Sequence, residues 1–244
     1  MFGNTLGAIF GAPQLSLKQT MNWFLNFFSS SIGRKVVMAL TGLFLILFLV
    51  VHLIGNLQLL KSDEGQAFNV YAQFMTTNPL IIVISWVNYA MILFHIFFSI
   101  WITRRNRAAR GQVGYAVVDN SSHWTSRNMG ILGTFIFIFL VIHLRSFWYE
   151  MHWGDIPRAT YDGVEYKNLY HVVKTAYESV WFVLLYVVSM ALLGFHLFHG
   201  FGSAFQTLGL NHVKYNPVIK FVGVAFAIVV PALFALIPVY MYLN

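Results

Sequence analysis

Between Val36 and Leu57 the chain reads VVMALTGLFLILFLVVHLIGNL, more than twenty residues without an acid or a base. At the helical rise of 1.5 Å per residue this stretch is long enough to cross a hydrocarbon core of about 30 Å. Four further apolar runs follow, and the pattern predicts five spans at about 36–58, 79–103, 129–149, 180–201 and 219–243. Pro231 and Pro238 should kink the fifth, which membrane helices tolerate. Ahead of the first span, Leu15, Leu17, Met21, Phe24, Leu25 and Phe28 recur at mostly helical spacing, with Lys18, Gln19, Asn22 and Asn26 between them. Gln14 to Ser31 is therefore expected to be a short helix lying in the membrane interface. Residues 1–13 are apolar and Gly-rich without a basic leading region, so no secretory signal is expected there. The predicted fold is all-α, a single integral membrane domain over residues 1–244.

The connection 150–179 is the longest, and it has structure of its own. Thr160 to Tyr166 places an Asp-Gly pair between alternating residues, a type I′ hairpin signal. Tyr170 to Tyr177 reads as a short surface helix leading into the fourth span. Together they are expected to cap the outer mouth of the bundle.

Composition agrees with the pattern: 58% of the residues are hydrophobic and only 9% charged, far below the quarter usual in soluble domains. The absence of cysteine excludes disulfides, thiolate-held iron–sulfur clusters, Cys-type zinc sites and covalently attached haem. The net charge of +7 is unevenly placed. Ten of the fifteen Lys and Arg lie in the N-terminal segment, the 104–128 connection and the 202–220 connection, whereas seven of the eight acids lie on the opposite side. By the positive-inside rule the N-terminus is expected in the cytoplasm of a bacterial-type inner membrane. Five spans put the termini on opposite sides.

Nitrogen ligands are abundant, because nine histidines are present and four of them fall inside spans: His52, His95, His143 and His196. An ionisable group within a span is a functional candidate by default, the alternative being a histidine hydrogen-bonded to a neighbouring helix. Depths follow from the helical rise. His52 and His143 lie roughly 22 and 21 Å from the inner edge, while His95 lies roughly 10 Å from it with His196 at a similar level. The four thus form two pairs, His52/His143 and His95/His196, each joining two helices. A haem b iron takes two axial nitrogens, one on each face of the macrocycle, and Gly42, Gly130, Gly133 and Gly194 would leave room for flat rings between spans. Zinc would want three or four ligands at one point, and a proton relay would want carboxylates, which the span interiors lack. Two bis-histidine haems fit the depths best, with all four histidines as axial iron ligands. His199 is better placed for a propionate or headgroup than for iron, and His123, His152, His171 and His212 lie in connections.

The run Ser31-x-Gly33-Arg34-Lys35, Thr41-Gly42, His52-Leu53-x-Gly55-Asn56, Phe68-Asn69-x-Tyr71-Ala72, Phe195-His196-x-x-His199-Gly200 and Gln206-Thr207-Leu208-Gly209 resembles the cytochrome b membrane-anchor subunit of succinate dehydrogenases and fumarate reductases (succinate:quinone oxidoreductases), in its single-chain, five-span, two-haem form. The likeness covers nearly all of the chain from residue 30 on. It implies two haem b groups, one proximal (His95, His196) and one distal (His52, His143). It also implies a flavoprotein subunit carrying FAD and an iron–sulfur subunit docked on the cytoplasmic face, and electron transport between them and a membrane quinone of the respiratory chain, menaquinone in most two-haem members. The succinate or fumarate chemistry of the tricarboxylic acid cycle would belong to those partners. Some members carry a glutamate two residues before the fourth ligand; here that position is Gly194.

Two alternatives stand beside this reading: the cytochrome b of a membrane hydrogenase or formate dehydrogenase, and a haem-free transporter. For a quinone, the outer ends of spans one to three offer Asn56, Tyr71, Gln73, Glu150 and His152, with Trp148 and Trp153 as flat surfaces. A rival inner site would use Ser31, Arg34 and Trp124.

Overall fold

The computed structural model describes residues 17–110 and 124–244. The N-terminal apolar run, most of the 104–128 connection and His123 lie outside the described residues. The chain order is α1 (Leu17–Ser29), α2 (Ser31–Asn56) ending in a tighter turn (Leu57–Leu60), α3 (Gln66–Thr77), α4 (Pro79–Arg110), α5 (Trp124–Arg127) and α6 (Met129–His143). A π-helical turn (Leu144–Trp148) then leads into α7 (Tyr149–Trp153), the hairpin β1 (Arg158–Tyr161) and β2 (Val164–Lys167), α8 (Leu169–Tyr177), α9 (Val180–Thr207) and α10 (Asn216–Leu243). Five of these segments are long and apolar enough to cross a membrane. The chain is therefore a multi-pass membrane protein of all-α class, with one small hairpin.

The helices outrun the apolar stretches that predicted them. The first begins at Ser31, where Ser30 caps it by accepting from the Gly33 N–H at 2.9 Å. The second continues to Arg110, because Arg and Ala are good helix formers once the chain has left the lipid. The fifth runs through Pro231 and Pro238 as one helix. Side chains such as Leu47, Trp86, Leu93 and Ile228 stand more than 60% exposed, as a lipid-facing surface requires.

α9 is the central rod, packed against α10, α2 and α6, while α4 packs on α2. Gly194 meets α10 at close range: a Cβ there would stand 3.0 Å from the Ala227 carbonyl oxygen. Gly130 likewise faces Thr103. These two glycines serve helix packing, which corrects their expected role beside a flat cofactor.

One end of the bundle is capped. The hairpin pairs Tyr161 with Val164 across Asp162 and Gly163, whose φ values of 50° and 78° are those of a type I′ turn. Asn69 of α3, wholly buried, ties the cap together. Its Nδ2 donates to the Tyr161 hydroxyl (2.9 Å) and to Asn168 Oδ1 (3.0 Å), and its Oδ1 accepts from the Tyr170 N–H (2.9 Å). Beneath it, Phe68, Phe147, Val173, Tyr177, Tyr186 and Ile237 belong to one hydrophobic core. Burial raises the pKa of the Tyr177 phenol well above its ordinary value, with Tyr186 adding to the effect, so this part of the cap stays neutral.

Candidate functional site

With the capped end uppermost, the four half-buried histidines of the spans stand at two levels on four helices. His52 of α2 meets His143 of α6 in the upper level, their ring centres 5.7 Å apart and nearly perpendicular at 85°. His95 of α4 meets His196 of α9 in the lower level, at 6.3 Å and 68°. These are the pairs that depth alone predicts. Residues 41 and 52 of α2 lie three turns apart on one face, which separates the levels by about 16 Å.

The upper pair is wrapped in aromatic rings. Phe48 stacks on His52 at 5.2 Å, and Phe234 lies 5.6 Å from it. Phe139 and Phe147 each stand 5.7 Å from His143. The Tyr186 hydroxyl reaches His143 Nδ1 at 3.3 Å. Asn56 spends its amide on the His52 carbonyl at 2.8 Å, and its 3.4 Å approach to the ring is too long to hold it firmly.

The lower pair borders small groups. A Cβ on Gly42 would stand 3.5 Å from His95 Cε1, so any larger side chain would fill the space beside that ring. The Thr41 hydroxyl lies 3.1 Å from His95 Nδ1 and 3.0 Å from the Met38 carbonyl. His196 Nδ1 is buried without a hydrogen-bond partner. Leaving such a nitrogen unpaired costs about 1–3 kcal/mol.

The spacing of these pairs is that of an edge-to-face ring contact, and it also suits a two-nitrogen metal centre. An ion held at about 2 Å by one nitrogen of each ring places the ring centres about 6 Å apart, the spacing seen in both pairs. Among the described residues no three His, Cys, Asp or Glu gather as a metal cluster, so neither pair offers the coordination zinc takes. Two imidazoles from different helices in an apolar setting are a donor set that would fit a haem b.

The other sequence candidates are placed more loosely. Glu150 is bound by Arg145. His152 is exposed, its Nδ1 on the Trp148 carbonyl at 2.8 Å. The Trp148 indole donates to the Tyr89 hydroxyl at 2.8 Å and packs on His152 and Trp153. The Tyr71 ring lies against Gly55, where a Cβ would collide with it, and Gln73 is half-buried. At the far end Arg34 stacks over Trp101, 3.3 Å from its centre, with Nη1 buried and unpaired, while Ser31 is exposed and Trp124 meets the edge of Phe195 at 5.9 Å.

Sequence reasoning missed Tyr186, Tyr89 and Trp101, and it named Thr41 only within the resemblance, without its contact to His95. A signal existed for that contact: Thr41 shares a helix face with His52.

Fold and site together define a membrane bundle holding two separate bis-imidazole sites. In comparisons with protein-family models, with characterised proteins and with solved structures, nothing matches this chain.

Proposed function

We propose that the chain is a dihaem cytochrome b that anchors the flavoprotein and iron–sulfur subunits of a succinate:quinone oxidoreductase and passes electrons between them and a membrane quinone. The observation that carries this reading is the stacking of two histidine pairs, 5.7 and 6.3 Å between ring centres, one above the other through the bilayer. A haem b bound in each pair would supply a one-electron redox centre. His52 and His143 would hold the distal haem, and His95 and His196 the proximal one.

The residues around the pairs do the rest. Phe48, Phe139, Phe147 and Phe234 keep water from the upper pair and favour a flat apolar ring. The absence of acids within the span interiors leaves proton exchange to the ends of the bundle. At the upper end Glu150 and His152, beside the Trp148 and Trp153 indoles, are the groups that can exchange protons with a quinone. The base-rich lower end, with Arg104, Arg105 and Arg107 exposed, is the face for the soluble partners, on the cytoplasmic side if the positive-inside rule governs insertion. The family assignment rests on the residue runs from Ser31 to Gly209 together with the pairing.

The test is a visible spectrum of the purified chain with haem quantified per polypeptide. Two low-spin haems b with a sharp reduced α band are expected. A fully loaded sample with one haem, or none, overturns the proposal. Co-purifying subunits that oxidise succinate separate it from a hydrogenase or formate dehydrogenase cytochrome.

A further inference from the structure

The hydroxyl contacts on the two pairs are arranged crosswise. α2 supplies a histidine to the upper pair (His52) and a hydroxyl to the lower one (Thr41). α9 supplies a histidine to the lower pair (His196) and a hydroxyl to the upper one (Tyr186). The histidines these hydroxyls meet, His95 and His143, come from α4 and α6. We propose that Thr41 is a positioning residue that fixes the tautomer of His95, and so sets the redox balance of the lower centre apart from the upper one. This inference rests on the haem reading above.

Thr41 is 2% exposed, and its hydroxyl has a single proton to give. The Met38 carbonyl, 3.0 Å away, can only accept, so it takes that proton. The 3.1 Å contact with His95 Nδ1 then runs the other way, from an Nδ1–H to a lone pair on Thr41 Oγ1. With its proton on Nδ1, His95 has a lone pair on Nε2, the state a ligand needs. Gly42, next in the chain, holds the ring close to α2.

Tyr186 stands beside the upper pair at longer range, where either its O–H or the ring N–H can be the donor. It is 5% exposed and clamped by Phe139 and Phe182, each 4.9 Å away, and by Tyr177 at 5.3 Å. Its hydroxyl has therefore one place to be, 3.3 Å from His143 Nδ1. Neither remaining ring has an acceptor fixed in this way. His196 Nδ1 has no partner, and the Asn56 nitrogen that approaches His52 Nδ1 at 3.4 Å is a donor. His95 is thus the ring whose tautomer a contact fixes.

An acceptor on Nδ1–H makes the imidazole a stronger donor to its metal and favours the oxidised, more positive state. Removing it should raise the potential of its own site and leave the other alone. The experiment is a potentiometric optical titration of the full chain with its co-purified subunits, after haem has been counted. In Thr41→Val the ferrous-to-ferric ratio of the His95/His196 centre should rise about tenfold at fixed potential, about 59 mV, while the His52/His143 centre stays in place. Thr41→Ser should behave as the parent. Tyr186→Phe should leave the His95/His196 centre in place. Loss of the lower haem in Thr41→Val but not in Thr41→Ser would equally show the hydroxyl holding the ring. Two haems with unmoved potentials in Thr41→Val, equal movement of both centres there, or a Ser variant indistinguishable from Val would each overturn the inference while leaving the haem reading intact. A parent chain without haem would overturn both.

Discussion

The two histidine pairs are alike in spacing and unlike in surroundings. The upper pair lies under a cap built from α3, the hairpin and α8, and it is gripped by phenylalanines on α2, α6 and α10. The lower pair lies where a glycine and a threonine let two helices come close, and one of its ring nitrogens is unpaired. The upper site is held by aromatic packing, and the lower site by the absence of bulk. Damage should therefore spread differently from each.

The sharpest way to break the comparison is to remove ligands singly. His52→Ala and His143→Ala should each abolish one redox centre, and His95→Ala and His196→Ala the other, as read by haem stoichiometry and potentiometry. If His52→Ala and His196→Ala remove the same centre, the pairing is wrong. Next in size, Phe147→Ala should cost about 3–5 kcal/mol, seen as a lowered thermal midpoint, because that ring touches His143, Tyr177, Phe182 and Tyr186. Gly42→Leu is the mirror experiment. It should empty the lower site and spare the upper one, since a side chain there grows into the His95 ring. A smaller effect is expected of Asn69→Ala, which removes one hydrogen bond from each of three partners in the cap and should cost about 1–3 kcal/mol, with faster proteolysis at the Asp162–Gly163 turn and an unchanged lower centre. Glu150→Gln should alter stability least, because Arg145 is 66% exposed and such pairs contribute about 0.2–1 kcal/mol. Its expected effect is on quinol oxidation at full haem content. Normal activity would remove Glu150 as the proton group, and abolition by Ser31→Ala instead would move the quinone to the far end.

Much of this was legible from local signals. A span is announced by twenty apolar residues, a type I′ turn by Asp-Gly, and a depth by counting residues along a rod, so the helices, the hairpin and the histidine pairing could be read from one dimension. What could not be read was anything set by rotation about a helix axis. That Gly194 faces α10, that Tyr186 rather than a nearer polar residue reaches His143, and that Trp148 finds Tyr89 depend on how helices are turned toward each other. The lipid-facing and protein-facing sides of these spans are both apolar, so the usual amphipathic signal of orientation is missing. Helix ends were also underestimated, because a hydropathy boundary marks where lipid stops, and hydrogen bonding carries α4 well beyond it.

The π-helical turn after His143 has a consequence for how this chain could be altered. Such a turn holds one residue more than the α-helix around it, so Leu144–Trp148 acts as an angular spacer in an otherwise continuous rod. Deleting a single residue there would restore an unbroken α-helix and leave everything beyond it aimed as before, whereas winding all five residues as α-helix would swing the far end by about 100°. In that second case His143 would keep its place opposite His52, yet Trp148 would turn away from Tyr89. Two ends of one helix are thereby aimed independently, and a change of winding at this one place could re-aim the membrane-surface groups without disturbing the histidine below.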